Sequence, residues 1–165
     1  MGIGQGELGV SPLQMACYAA TLGNKGTFIR PHVVEKIRDK NTKQFQDIAV
    51  DSRKLNVSPA VWEVIRDGMY RCVNEAGGTG AAARVQGITV SGKTGTAENP
   101  HGKSHSWFIG YAPSENPKIA ICVLVENAGF GGTVAAPIAG LCIEQYLYGS
   151  VIRGRVSTII EPTSD

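Results

Sequence analysis

The sequence lacks the features that mark membrane-spanning, disordered and nucleic-acid-binding proteins. No apolar run approaches the roughly 20 residues of a transmembrane helix, and the first residues have neither the basic start nor the apolar core of a signal peptide. Charged residues are only 18% of the chain, and the formal net charge is only +2. This balance is not that of a disordered chain, and it provides no basic stripe for a nucleic acid. We therefore expect one folded domain, or a piece of one, with no nucleic-acid partner.

Paired cysteines of the CxxC type are also absent. The four cysteines are Cys17, Cys72, Cys122 and Cys142. Each lies among apolar neighbours, which predicts small, buried, unreactive side chains. Two disulfides remain formally possible, so cysteine usage leaves the redox compartment open.

Only one pair of histidines has metal-ligand spacing. His101 and His105 are four residues apart, as in a helical metal pair, but Pro100 and Gly102 predict a turn between them. We therefore expect no metal site, and no motif in the chain calls for a cofactor.

Glycine, by contrast, is abundant, at 21 of 165 residues, well above the usual share of about 7%. Two Ser-Pro pairs, Ser11-Pro12 and Ser58-Pro59, predict helix starts. Apolar residues then recur at helical spacing until glycine-rich segments at 23–26 and 77–78 end the two helices. A third helix is predicted over about residues 133–148.

Three strand-like runs lie between the second and third helices, at residues 86–96, 106–112 and 118–126. The links between them are short, which predicts antiparallel neighbours. The last run is apolar on both faces, so we expect it to be the central strand. Residues 28–48 predict an exposed hairpin. The order of elements predicts an α+β fold, with an antiparallel sheet flanked by helices.

Two glycine-rich motifs suggest nucleotide binding. Residues 4–9 fit G-x-G-x-x-G, but the dinucleotide fingerprint needs a preceding strand, and only three residues precede this match. Residues 87–94 fit the P-loop pattern G-x-x-x-x-G-K-[ST]. The β-branched residues 88–90 favour a strand over a phosphate-wrapping loop, and Asn99-Pro100 would end any following helix within five residues. P-loop nucleotide binding remains the alternative hypothesis.

Lys93-Thr94-Gly95 also matches the K-T-G element of penicillin-binding proteins and β-lactamases. On an edge strand, its backbone can pair with an extended peptide. The hydroxyls of Thr94 and Thr96 and the charge of Lys93 can hold a carboxylate. A free N–H at Thr96 can point at a developing oxyanion, and Gly95 leaves room for a substrate along the strand.

The flanking sequence extends this match to a family resemblance over roughly residues 2–149. The segments that carry it are Gly4-Gln5-Gly6 with residues 11–16, Asn24–Pro31, Ser91–Glu98 and Ser106–Pro113. Together they resemble the C-terminal part of the transpeptidase domain of a class B penicillin-binding protein, closest to the elongation type. Residues 150–165 would form a C-terminal tail.

The resemblance implies a β-lactamase-like fold with a five-stranded sheet between helices. It implies a serine that attacks D-Ala-D-Ala stem peptides of peptidoglycan, forms an acyl-enzyme and passes the acyl group to an amine; β-lactams acylate the same serine. By position, Lys93 would supply charge and join a proton network, whereas Thr94, Gly95 and Thr96 would form the substrate-binding edge. It also implies a protein on the extracytoplasmic face of the inner membrane, anchored by an N-terminal segment.

Two elements of the family pattern are not found. No S-x-x-K occurs in the chain, and the single S-x-N, Ser114-Glu115-Asn116, follows the K-T-G strand instead of preceding it. We read Ser114 as a turn residue. We therefore expect a fragment that is inactive by itself, whose Met1 is an expression start and whose missing strands leave a surface open to association. A binding module that uses the edge strand without catalysis is the third hypothesis.

Overall fold

The computed structural model describes residues 5–6 and 8–152. Its helices are α1 (Pro12–Gly23), α2 (Pro59–Asn74) and α3 (Ala135–Tyr148), and Ala81–Ala83 form one 3₁₀ turn. Its strands are β1 (Thr27–Ile29), β2 (Lys36–Arg38), β3 (Phe45–Asp47), β4 (Ser52–Lys54), β5 (Ser91–Ala97), β6 (His105–Ala112) and β7 (Ile119–Val125). The predicted α+β class is confirmed. Residues 153–165, most of the predicted tail, lie outside the described residues.

Both Ser-Pro pairs start helices, but by different means. Ser11 caps α1 with a capping box, in which its hydroxyl accepts the Gln14 N–H at 3.3 Å and its own N–H reaches Gln14 Oε1 at 2.8 Å. Ser58 makes no side-chain cap on α2, so Pro59 at the first helical position sets that start.

Strands β5, β6 and β7 form one antiparallel sheet in that spatial order. The prediction that the 118–126 run is central is wrong: β6 is the middle strand, and β7 pairs with β6 alone among the described strands. The apolar faces of β7 are covered by α1 and α3. A strand can be covered on both faces and still have an open hydrogen-bonding edge, which the hydrophobic pattern does not reveal.

The strand predicted from residue 86 begins later. Gly87 has a φ of +74°, and Val85 pairs with Ile88 across a tight turn. This backbone conformation is open to glycine but not to a residue in an extended strand. Residues 86–90 therefore lead into β5 and are not part of it.

Helices pack on both faces of the sheet and enclose two apolar clusters. On one face Ile143 of α3 packs in a cluster with Phe108 of β6 and Val90. On the other face, Leu22 of α1 and Trp62 of α2 pack in a second cluster with Tyr111 of β6. The sheet is thereby held rigidly between layers, and β5 lies at its rim.

The region 27–54 forms two small antiparallel pairs, β1 with β4 and β2 with β3. The predicted hairpin over residues 28–48 is partly right: β2 and β3 form an exposed hairpin, but the start of the predicted first strand lies in β1, which pairs with β4 instead. The cysteine prediction is only partly right: Cys17, Cys72 and Cys122 are half-buried, whereas Cys142 is exposed. Helix α3 presents Cys142 beside the open edge of β7, so the local apolar sequence did not imply burial.

Within the described part of the chain, no helix is long and apolar enough to cross a membrane.

Gly26 and Gly68 offer a matched test of this packing. Gly26 has a φ of +88°, and a methyl group there would lie 2.5 Å from the Trp62 ring. We expect Gly26→Ala to lower the free energy of unfolding by at least about 2 kcal/mol. Gly68 lies exposed in α2 with nothing near its Cβ position. Gly68→Ala should raise that free energy by about 0.5–1 kcal/mol, and equal effects in urea denaturation would contradict the packing.

Arg66 joins three elements through backbone carbonyls. Its guanidinium donates to Gly23 O at 2.5 Å and to Ser114 O at 2.7 Å. It also stacks 5.3 Å from the ring centroid of Tyr111. This side chain therefore fixes the end of α1 and the β6–β7 turn against α2.

Replacing Arg66 should destabilise the fold far more than replacing Arg71 on the same helix. Arg66→Ala leaves half-buried carbonyls unpaired, so we expect a loss of about 2 kcal/mol. Arg71 makes exposed ion pairs with Asp67 and Glu75, and Arg71→Ala should cost less than about 0.5 kcal/mol. Thermal unfolding of the two variants checks this, and similar melting temperatures would show that the Arg66 contacts contribute nothing.

Candidate active site

Among the described strands β5 pairs with β6 alone, so one of its hydrogen-bonding edges is open there. A methyl group placed on Gly92 would lie 2.8 Å from the Ile109 carbonyl oxygen, so that carbonyl points between β5 and β6. Lys93, opposite Ile109, is therefore in a hydrogen-bonded pair. Because bonded and unbonded pairs alternate along an antiparallel ladder, the carbonyl of Thr94 and the N–H of Thr96 face the open edge.

The side chains of β5 alternate between the two faces of the sheet. Lys93 shares its face with Ile109 and is exposed, and its Nζ donates to the outward carbonyl of Thr94 at 2.7 Å. Thr94 and Thr96 are on the opposite face, which is the face that α3 covers. The ammonium group is thus held beside the strand edge and not in the core.

The two threonine hydroxyls have different surroundings. Thr94 Oγ1 lies 2.8 Å from Thr79 Oγ1. Thr96 Oγ1 has no hydrogen-bond partner among residues 5–6 and 8–152, and Thr96 is one of the residues that line an open cleft beside β5. Thr96 therefore has both a hydroxyl and an N–H available to a ligand.

Glycines allow close approach of the backbone around the middle of β5. A methyl group on Gly131 would overlap the carbonyl oxygens of Gly95 and Trp107, so the loop before α3 lies directly on the ladder. A methyl group on Gly95 itself would lie 3.1 Å from Trp107 Cβ. Position 131 has no room for a larger residue, whereas a methyl group at position 95 would require Trp107 to shift by a few tenths of an ångström.

A cleft of about 470 Å³ runs along β5. Residues 93–98 form one wall, and the described residues of the N-terminal lead-in, with Met15, form the other. Gln5 Oε1 accepts the outward N–H of Glu98 at 2.9 Å, so the lead-in occupies the far end of the strand edge. Sequence reasoning assigned no role to Gln5, although Gly4-Gln5-Gly6 was part of the family pattern.

The remaining candidates lie outside this cleft. Ser114 is buried in a bend, where its hydroxyl accepts from Ser91 Oγ at 2.8 Å, in agreement with its reading as a turn residue. His105 Nδ1 accepts the Asn127 N–H at 3.1 Å. Among the described residues, no group of three or more His, Cys, Asp or Glu side chains is arranged to hold a metal ion.

The P-loop hypothesis is not supported. A P-loop needs a backbone that wraps phosphates and then opens a helix, but residues 91–94 of the motif belong to the extended strand β5, which continues to Ala97. The pairing of residues 91–94 with β6 decides the local structure against the loop, whereas the β-branched residues 88–90, expected to extend the strand, lie before it. The motif matches the sequence pattern without its structural context.

Comparison with known proteins identifies the family. Residues 1–144 match the family described as the penicillin binding protein transpeptidase domain. The chain belongs to this family. It is 36% identical over 163 residues to the peptidoglycan D,D-transpeptidase MrdA of Haemophilus influenzae, covering 89% of this chain and 25% of that protein. It is 34% identical over 156 residues to PbpA of Mycobacterium tuberculosis, covering 89% of this chain and 31% of that protein.

Solved structures show the same relationship. The imipenem acyl-enzyme complex of penicillin-binding protein A from M. tuberculosis superposes with a TM-score of 0.74 at 34% identity, over 88% of this chain and 32% of that one. Penicillin-binding protein 2 of Pseudomonas aeruginosa, in complex with WCK 5153, gives 0.71 at 32% identity, over 96% and 34%. The penicillin-binding fold is therefore confirmed, and the chain spans about a third or less of the length of these relatives.

A titration with Mg-ATP checks the exclusion of the P-loop. We expect no saturable binding up to millimolar nucleotide, because residues 92–94 lie in the extended strand β5 and cannot wrap around a phosphate. Isothermal calorimetry at constant ionic strength is the measurement, with Mg-free ATP as the control for non-specific anion binding. Saturation that requires Mg²⁺ and disappears in Lys93→Ala would contradict the assignment.

Proposed function

We propose that this chain is the C-terminal part of a peptidoglycan D,D-transpeptidase and supplies the edge strand that binds the stem peptide. The observation that carries the proposal is the open edge of β5, with an outward Thr96 N–H, a Thr96 hydroxyl that has no partner in the described part of the chain, and Lys93 beside it. Homologues with this activity in their names, MrdA and PbpA, support it. Because both resemble this chain, we further propose the elongation type.

In the proposed complex the stem peptide extends the sheet beside β5. Its backbone pairs with the outward groups of Thr94 and Thr96, while its terminal carboxylate accepts hydrogen bonds from their hydroxyls. Lys93 lowers the energy of this negative charge because its ammonium group is held at the same edge. Such an arrangement favours substrates that end in a free carboxylate, as D-Ala-D-Ala peptides and β-lactams do.

The proposed chemistry is acyl transfer by a serine that lies outside this chain. The serine oxygen bonds to the carbonyl carbon of the penultimate D-Ala, and the C–N bond to the terminal D-Ala breaks. The leaving nitrogen takes a proton and departs as an amine. A second stem peptide then attacks the ester with its amine, forming the cross-link amide and releasing the serine. The Thr96 N–H stabilises the oxyanion in both steps.

Cys122 does not provide a substitute nucleophile within the chain. Burial raises the pKa of the Cys122 thiol to about 11. The thiol therefore stays protonated near neutral pH, and a protonated thiol is a poor nucleophile. Because the chain spans about a third or less of the length of its relatives, we propose that it acts as part of a longer protein, on the extracytoplasmic face of the membrane and anchored by an upstream segment.

Acylation by a labelled penicillin tests the proposal. We expect the full-length product of the native gene, read in frame upstream of Ile3, to contain S-x-x-K and to form a covalent adduct. The 165-residue chain alone should gain no mass equal to one opened β-lactam. Thr96→Val in the full-length protein should slow acylation about ten-fold or more, since a hydrogen bond to a charged group is lost.

Thr42→Val is the matched control, because Thr42 lies in the exposed β2–β3 turn far along the chain from β5. Its acylation rate should equal that of the wild type. A full-length product with no S-x-x-K and no adduct would overturn the transpeptidase proposal and favour a binding module that uses the edge strand without catalysis.

A further inference from the structure

Thr79 is placed against the K-T-G strand by the glycine-rich segment that ends α2. Its hydroxyl lies between two partners, with Thr94 Oγ1 at 2.8 Å and Cys72 Sγ at 3.4 Å. The three groups come from the loop after α2, from β5 and from the last turn of α2. No sequence motif singled out Thr79 or Cys72.

The backbone holds this chain of polar groups in place. Gly80 N donates to Cys72 O at 2.9 Å, which ties the loop to the end of α2. A methyl group on Gly132 would lie 2.5 Å from Thr79 O, so the loop before α3 abuts the same residue. Thr79 is thus confined from the side of α2 and from the side of α3, although its side chain reaches solvent.

The number of hydroxyl protons determines which group donates in each of these hydrogen bonds once a carboxylate is bound. Each threonine hydroxyl has one proton to donate. If Thr94 donates its only hydroxyl proton to a substrate carboxylate, that proton is no longer available for the contact with Thr79. The Thr79 hydroxyl must then be the donor in this contact, and Thr94 Oγ1 the acceptor. The Thr79 oxygen is then free to accept the weak S–H donor of Cys72.

We propose that Thr79 is a positioning residue that turns the Thr94 hydroxyl proton toward the substrate carboxylate, with Cys72 as the first donor of the relay. This inference rests on the proposed function, since it assumes that Thr94 meets a carboxylate. A hydrogen-bond chain that runs in one direction polarises each member, so the Thr94 hydroxyl becomes a better donor to an anion.

Two roles of Thr79 can be told apart by experiment: orienting the Thr94 hydroxyl, which affects only ligands with a carboxylate, and supporting the loop, which affects every ligand. A loosened loop would slow acylation by every ligand. Loss of the orientation of the Thr94 hydroxyl would slow acylation only by ligands that present a carboxylate to Thr94. A penicillin labelled on its side chain and the methyl ester of the same compound provide this pair.

The test measures second-order acylation rates of the full-length protein with both compounds. The wild type should prefer the free acid. In Thr79→Val, which keeps the shape but removes the hydroxyl, the acid rate should fall about three- to ten-fold, the equivalent of one net hydrogen bond. The ester rate should change less than about two-fold, and Thr79→Ser should restore the acid rate.

Cys72→Ala provides an independent variant should Thr79→Val melt at a much lower temperature than the wild type. It removes the first donor only, so the acid rate should fall less than in Thr79→Val while the ester rate is unchanged. An acid-to-ester ratio that stays at the wild-type value in both variants would overturn the role of Thr79. A wild-type protein that forms no adduct, or that reacts equally with acid and ester, would contradict the proposed function itself and the inference with it.

Discussion

The open hydrogen-bonding edge of β5 is the constraint on which the site depends. The strand is paired on one side by β6 and anchored at Glu98 by the side chain of Gln5. Between these contacts the backbone groups of Thr94 and Thr96 face outward. An unpaired edge is a hazard in most proteins because any extended chain can add to it. In this chain the unpaired stretch is short, and it carries the ammonium group of Lys93 and the hydroxyls of Thr94 and Thr96.

The remainder of the fold keeps that edge straight and exposed. The α3 layer and the α1–α2 layer enclose the sheet, and Phe108 and Tyr111 point from neighbouring positions of β6 into opposite clusters. Glycine at position 131 lets the loop before α3 lie on the ladder, so the strand cannot bow toward that face. Arg66 fixes the β6–β7 turn at the other end of the sheet. Rigid support of this kind lets a strand bind a ligand without the free-energy cost of first ordering its own backbone.

Local signals predicted the site strand and the three helices well, because caps, prolines and periodicity act within a few residues. The same signals misplaced β7, since burial of both faces says nothing about which strand pairs with its edge. They extended β5 back to residue 86, where the positive φ of Gly87 breaks the strand. Cys142 and the contact between Thr79 and Thr94 depend on tertiary packing between elements distant in sequence, which spacing alone does not encode.

A crystal structure of the full-length protein acylated by penicillin tests the central claim most directly. We expect the ligand carboxylate to lie within hydrogen-bond distance of both the Thr94 and the Thr96 hydroxyls. We also expect the ester carbonyl oxygen to accept from the Thr96 N–H, with the ligand running along the open edge of β5. A carboxylate held elsewhere, with the β5 edge covered by another segment of the protein, would contradict the account.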